Sequence, residues 1–175
     1  LSQGSLEIAN VSQLDNISGY IAAIGSATIT AQNLNNNKGQ INSQADLSIQ
    51  QQASGGRVDN LAGQIQAQQN VTLNADSINN SGTGSHIVAG ETLSITANKV
   101  INAQTKDATV IAGLDGKNIE INAAELDNQS GVIRATDNAA LNIRNILSNQ
   151  SGSISSLNTL SVGTADKTLN LNNTG

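Results

Sequence analysis

The stretch LDNISGYIAA, residues 14–23, recurs with small changes along the chain. Each copy starts with an aliphatic residue and a pair that contains asparagine, and continues with a glycine, an isoleucine and a small residue. Well-preserved copies are LNNNKGQINS at 34–43, VDNLAGQIQA at 58–67, LDNQSGVIRA at 126–135 and LSNQSGSISS at 147–156. A period of roughly 20 to 50 residues is typical of stacked-repeat architectures, so this repeat decides the fold class.

The leading aliphatic residue of each unit sets the alignment, and we refer to these residues as the anchors. The anchors are Leu14, Leu34, Val58, Ile78, Val100, Leu126, Leu147 and Leu171. Their spacings are 20, 24, 20, 22, 26, 21 and 24 residues. Two further columns of aliphatic residues follow the anchors at similar intervals. The second column is predicted as Ile21, Ile41, Ile65, Ile87, Ile111, Ile133 and Ile154, and the third as Ile29, Ile49, Leu73, Ile95, Ile121, Ile143 and Val162.

The third segment of each unit alternates apolar, polar, apolar, as in LSI at 47–49 and VTL at 71–73. This alternation is the pattern of a half-buried β-strand. Strands this short cannot bury their apolar faces within one unit, so the units must stack with equivalent residues above one another. The sequence therefore predicts an all-β parallel solenoid of about seven to eight coils, each 20 to 26 residues long.

The corners between strands carry their own pattern. An asparagine stands two residues after every anchor, and its side-chain amide can bond both its own bend and its copy one coil away. We expect a continuous ladder of Asn16, Asn36, Asn60, Asn80, Asn102, Asn128, Asn149 and Asn173. The corner glycines are expected to adopt positive φ; they are Gly19, Gly39, Gly63, Gly131 and Gly152. Extra residues are expected in corner loops at 51–57, 81–87, 102–110, 113–118, 136–140 and 163–170.

Composition narrows the functional classes. Pro, Cys, Met, Trp and Phe are absent, and Tyr20 is the single aromatic residue, so the core consists of small and branched aliphatics and no disulfide or thiolate metal site can form. The net charge of −5 and the scattered Lys and Arg argue against a nucleic-acid partner or a polybasic membrane surface. No stretch is long and apolar enough for membrane insertion, and the start LSQGSLEIAN has no signal layout. We expect residues 1–175 to be one solenoid segment, an internal fragment of a larger protein.

The pattern L-[DN]-N-x-x-G-x-I-x-[AS]-x(4)-L-x-I-x-A resembles the haemagglutinin repeat of filamentous haemagglutinin and its relatives. These are very large exoproteins of two-partner secretion systems, and they include the stalks of contact-dependent growth inhibition effectors. The resemblance covers about residues 14–175 and rests on five good copies. The units at Ile78 and Val100 depart from it because they lack the glycine at its usual place.

The resemblance implies a right-handed parallel β-helix that is exported through an outer-membrane two-partner secretion transporter and is secreted from, or displayed on, a Gram-negative cell. The function it implies is a structural or adhesive shaft that presents other regions of an adhesin away from the cell. Two alternatives stay open. The segment is the stalk of a contact-dependent growth inhibition effector, or it is a module whose corner loops bind a host-cell or target-cell receptor or glycan directly.

Several residues are candidates for chemistry or binding. The nearest approach to a catalytic cluster is Asp107, Asp115 and Lys117, expected in neighbouring corner loops, but solvated loop charges explain them as well, and we expect neither catalysis nor a cofactor. GLDGKN at 113–118 supplies too few carboxylates for a calcium loop. Arg57, Arg134 and Arg144 are candidates for sulfated glycans. The partner-contact loops, if the segment binds directly, are expected at Ser81, Thr83, Ser85, His86, Gln104, Lys106 and Asp107.

Overall fold

The computed structural model describes residues 1–51, 54–107, 109 and 111–174. This part of the chain contains no helix, and hence none that could cross a membrane. Its regular structure consists of β-strands alone. They are β1 Leu6–Asp15, β2 Tyr20–Ala23, β3 Ala27–Asn35, β4 Gln40–Ser43, β5 Leu47–Gln50, β6 Arg57–Asp59, β7 Gln64–Ala67, β8 Val71–Asn74, β9 Ser77–Asn79, β10 His86–Ile101, β11 Gly113–Asp127, β12 Val132–Ala135, β13 Asn138–Ser148, β14 Ser153–Ser156, β15 Thr159–Val162 and β16 Asn170–Asn172.

Strands of successive coils pair in parallel and build three sheet faces around one core. The anchor sheet stacks β1, β3, β6, β9, β10, β11, β13 and β16. The isoleucine sheet stacks β2, β4, β7, β10, β11, β12 and β14. The alternating sheet stacks β1, β3, β5, β8, β10, β11, β13 and β15. The chain is therefore a parallel β-solenoid of about seven turns, as the repeat predicts.

The anchors form one continuous column in the predicted register. The anchors inside the stack, from Leu34 to Leu147, are at most 3% exposed. Burial of one such side chain contributes roughly 1.5–3 kcal/mol, and the column repeats that gain at every coil. A unit alone would leave these side chains in water, which is why the fold depends on stacking.

The second column differs from the prediction at one coil. Ile87 pairs with Leu114, and Leu114 with Ile133, whereas Ile111 lies outside the column with 64% of its surface exposed. Residues 113–118 accordingly belong to β11 and are not a corner loop. Alternation along the strand explains the choice: an inward Ile111 would place Asp115 inward too, and an ionised carboxylate is costly to bury among aliphatics.

The third column also shifts at one coil. Ile121 pairs with Leu141, and Leu141 with Val162, so Leu141 takes the place predicted for Ile143. Ile143 pairs with Ala123 and is fully buried one pleat further along. The extra residue of this coil lies in a bulge just after Ile143, not at 136–140 as predicted, because residues 138–140 are already part of β13.

The corner glycines do not adopt positive φ. The residue before each of them does so instead, as in Lys38 with φ 57° and Ala62 with φ 50°. The glycines are needed because coils approach closely at this point: a Cβ on Gly39 would lie 2.0 Å from the carbonyl oxygen of Asn16 in the preceding coil. The predicted positions of the corner glycines are therefore correct, but glycine is required there for the close approach of coils and not for a positive φ.

Candidate functional site

The predicted asparagine ladder runs through the whole stack at the corner that follows the anchor sheet. Each Nδ2 donates to the Oδ1 of the asparagine one coil further on, at 2.7–2.8 Å. The bonds are Asn16 to Asn36, Asn36 to Asn60, Asn60 to Asn80, Asn80 to Asn102, Asn102 to Asn128, Asn128 to Asn149, and Asn149 to Asn173. The ladder therefore has a direction, with donors facing the C-terminal end.

The amide nitrogens of the ladder also donate hydrogen bonds to backbone carbonyl oxygens of the fold. Asn36 Nδ2 also donates to the carbonyl oxygens of Gly39 at 3.3 Å and Gln64 at 3.1 Å, so one amide ties its own bend to the next coil. The five central members, from Asn36 to Asn128, are fully buried. Since a buried polar group without a partner is costly, these bonds make asparagine specifically necessary at the corner.

Two coils lack the corner glycine, and hydroxyl side chains replace it. Ser85 is fully buried; its Oγ accepts a hydrogen bond from the backbone N–H of Ala62 at 2.7 Å and donates to the Ser81 carbonyl. Thr105 is also fully buried, and its Oγ1 accepts from the N–H of Val132 at 3.0 Å. Sequence reasoning missed both roles, although the absence of glycine at these corners was the available signal.

The structure brings the two enlarged corners together, since the N–H of Gly82 donates to the carbonyl oxygen of Ala103 at 3.0 Å. Of the predicted partner-contact residues, Thr83, Gln104 and Lys106 are exposed on this surface. Ser81, His86 and Asp107 are partly buried, and Ser81 Oγ donates to Asn79 Oδ1 at 2.6 Å. The Ser85 side chain is inside the fold and does not reach this surface. Ile111 lies on the same corner and is exposed.

The remaining charged candidates lie on the surface, where Lys117 and Arg57 form ion pairs. Lys117 lies in β11, and its Nζ is 2.9 Å from Glu91 Oε2; the hydrogen bond and charge of Glu91 raise the pKa of Lys117. Arg57 Nε is 3.3 Å from Asp59 Oδ2 in the same strand. Arg144 is exposed in the bulge after Ile143. These ion pairs are on the surface, where an ion pair contributes roughly 0–1 kcal/mol to stability.

One group of charges is less exposed. Asp115 is bonded to Arg134 of the next coil, and His86 Nε2 of the preceding coil lies 3.9 Å from Asp115 Oδ2. Burial alone would raise the pKa of the Asp115 carboxyl. Contact with His86 and Arg134 lowers this pKa by a larger amount, so the net pKa is below its ordinary value. His86 Nε2 is buried and has no hydrogen-bond partner among the described residues.

Of the three candidates for a catalytic cluster, only Asp107 lies in a corner loop. Asp115 and Lys117, predicted in corner loops beside Asp107, lie instead within β11 with partners of their own. Within the part of the chain that the structure describes, no three His, Asp or Glu side chains converge as a metal site would need. No protein-family model, curated protein or solved structure matches this chain.

Proposed function

We propose that this chain is a shaft segment of a large secreted or surface-displayed bacterial exoprotein of the filamentous haemagglutinin type, and that it holds other regions of that protein away from the cell. The observation that carries the proposal is the continuity of the anchor column and the asparagine ladder through every coil. A structure in which every coil repeats the same contacts is suited to spanning a distance rather than to enclosing a substrate.

The mechanism is geometric. Each coil adds about 4.8 Å, the spacing of paired strands, so a longer shaft needs only more copies of the same junction. Each junction joins neighbouring coils alone, and such a fold can propagate from one coil to the next as an unfolded chain emerges. This suits export through an outer-membrane two-partner secretion transporter, the partner that the repeat pattern implies.

The stalk of a contact-dependent growth inhibition effector would use the same geometry. The two versions differ only in what the shaft presents, an adhesive region or a toxin. The part of the parent protein that follows this segment decides between them, and sequencing the parent reading frame is the direct test.

A second candidate is a module that binds a receptor or glycan through its corners. The enlarged corners favour it, since these two hydrogen-bonded corners carry exposed Thr83, Gln104, Lys106 and Ile111. Polar side chains around one apolar group are what a small contact surface needs.

Deletion of whole coils separates the two candidates. Removing residues 78–125 joins Ser77 to Leu126 and keeps register, because Ser77, Lys99 and Glu125 occupy one column. In the parent exoprotein on cells, the shaft proposal expects unchanged target-cell binding with a tip about 10 Å closer to the membrane, two coils at the strand spacing. Loss of binding with retained display would reject the shaft in favour of the corner module.

A control deletion that is one residue longer, 78–126, joins Ser77 to Asp127 and shifts all the following strands by one residue. This deletion should abolish display, because a slipped register turns the buried face outward. For the corner module, the finer test replaces only Thr83, Gln104, Lys106 and Ile111 by serine, since Ser85 and Thr105 hold the fold.

A further inference from the structure

The second column of the solenoid has two candidate occupants at one coil, because the sequence repeats the same short pattern there. IAG at 111–113 is followed at once by LDG at 114–116, and each is an aliphatic residue followed two positions later by glycine. The isoleucine sheet uses an aliphatic residue and a small one in this way, as with Ile87 and Ala89 in the preceding coil. The sequence therefore offers two registers that are three residues apart, the IAG register and the LDG register.

The structure adopts the LDG register. Leu114 pairs with Ile87 and is fully buried, whereas Ile111 is 64% exposed. The interior favours neither copy strongly, because leucine and isoleucine side chains have the same number of atoms and both copies supply a glycine for the small place. The main difference lies in the residue between them, which faces outward. This residue is Asp115 in the LDG register and would be Ala112 in the IAG register.

The LDG register places Asp115 among the charges of the neighbouring coils. Asp115 is paired directly with Arg134 and bonded to it, and His86 Nε2 lies 3.9 Å from Asp115 Oδ2. Only 15% of the Asp115 side chain is exposed, so this interaction is screened less than that of a surface pair. The outward column continues with uncharged residues, which are Asn42, Gln66, Val88 and Ser155. In the IAG register Ala112 would face Arg134, and the ion pair would be lost.

From these observations we infer that Asp115 is the register-determining residue of this coil, and that its pairing with Arg134 selects LDG over IAG at the second column. A partly buried ion pair can specify one register among several of similar stability. The register also decides which side chain the enlarged corner presents, because Ile111 would leave the surface and enter the column in the IAG register. This inference goes beyond the proposed function, since it holds for a shaft and for a binding module alike.

Charge reversal tests the role of the pair, and a cysteine at position 112 reports the register. Ala112 is 6% exposed and the chain has no cysteine of its own, so A112C supplies one thiol that is protected in the LDG register. In the IAG register position 112 faces outward, and the thiol reacts. Alkylation of A112C by iodoacetamide is measured in the unchanged background, in Asp115→Arg, in Arg134→Asp and in the double reversal.

Each single reversal places like charges opposite each other on paired strands, and the double reversal restores opposite charges. We expect alkylation to become at least about tenfold faster in each single reversal and to return to the unchanged rate in the double reversal. Lys99→Glu is the matched control, because Lys99 is paired with Glu125 on the same two neighbouring coils, 3.4 Å away on the exposed surface. This substitution also opposes like charges and should leave the alkylation rate unchanged.

A second measurement separates a change of register from local unfolding. Ile111 is buried in the IAG register, so Ile111→Ala should lower the urea midpoint of the Asp115→Arg chain and leave that of the unchanged chain almost the same. No effect of Ile111→Ala in either chain would mean that the coil opens without adopting the IAG register, and this would overturn the inference. Slow alkylation in both single reversals, fast alkylation that the double reversal does not restore, or equal acceleration by Lys99→Glu would overturn it as well.

Discussion

Asn80 Nδ2 donates to Asn102 Oδ1 at 2.8 Å, across the junction between the two coils that both lack the corner glycine. The ladder distance is therefore kept where the corner around it changes. Ser85 and Thr105 make this possible, since their hydroxyl groups accept backbone N–H groups at these enlarged corners. The hydrogen bond between asparagine side chains, rather than the glycine, is the feature common to every corner of the stack.

Asn80→Ala tests how much the ladder contributes. It removes the acceptor of Asn60 Nδ2 and the donor to Asn102 Oδ1, and both groups are fully buried. Asn60 Nδ2 keeps the carbonyl oxygens of Gly63 and His86 as acceptors, whereas Asn102 Oδ1 is left unpaired. At roughly 1–3 kcal/mol for a buried group left unpaired, we expect the free energy of unfolding to fall by about 1–3 kcal/mol in urea denaturation. Asn74→Ala, on an outward exposed position of β8, is the control and should change it by less than about 0.5 kcal/mol. Equal effects of the two substitutions would contradict a role for the ladder.

Gly39→Ala tests the close approach of coils. The added Cβ would lie 2.0 Å from Asn16 O and 2.6 Å from Asn36 Oδ1, so the coils must move apart or the ladder must shift. We expect a loss of about 2–4 kcal/mol in unfolding free energy, within the range of overpacking and backbone strain. Gly4→Ala is the matched control, because nothing lies within 4 Å of its Cβ position. A Gly39→Ala chain as stable as Gly4→Ala would show that the corner yields freely.

Ala62→Gly should act in the opposite direction. Ala62 has φ 50°, a left-handed conformation that costs a residue with a Cβ roughly 1–2 kcal/mol. Glycine relieves this cost but loses more entropy on folding, so we expect a net gain of up to about 1 kcal/mol in thermal or urea unfolding. Ala140→Gly, in the interior of β13, is the control and should destabilise by roughly 0.5–1 kcal/mol. If both substitutions destabilise alike, the left-handed corner carries no strain.

The sequence predicts the solenoid, its anchor column and its ladder because these depend on residues that recur at every coil. It does not predict the register where a coil offers two inward choices two or three residues apart, as with Ile111 and Leu114, or Leu141 and Ile143. The choice there depends on contacts with the neighbouring coils: Asp115 faces outward beside Arg134, and a bulge absorbs the extra residue after Ile143. Nor do the roles of Ser85 and Thr105 follow from a repeat, since each occurs at a single corner.

The register at the second column can be checked by stability. Leu114 is fully buried between Ile87 and Ile133, so Leu114→Ala should cost about 2–5 kcal/mol of unfolding free energy. Ile111→Ala removes a side chain that is 64% exposed and should change it by less than about 0.5 kcal/mol. A larger loss of unfolding free energy for Ile111→Ala than for Leu114→Ala would indicate that Ile111, and not Leu114, occupies the second column.

Asp115 makes the free energy of unfolding depend on pH in the acidic range. Its pKa is lowered in the folded chain, so its ionised form stabilises the fold above the ordinary pKa of about 4 for an unfolded aspartate. That contribution is lost as the pH falls from about 4 through the lower folded pKa, because the protonated carboxyl no longer attracts Arg134 and His86. In urea unfolding measured from pH 7 to pH 2, the Asp115→Asn chain should be less stable than the unchanged chain at neutral pH, and the difference should shrink below pH 4. Asp166→Asn, on an exposed loop, is the control and should run parallel to the unchanged chain throughout. A difference between Asp115→Asn and the unchanged chain that stays constant over this range would show that the substitution acts through packing and not through the charge.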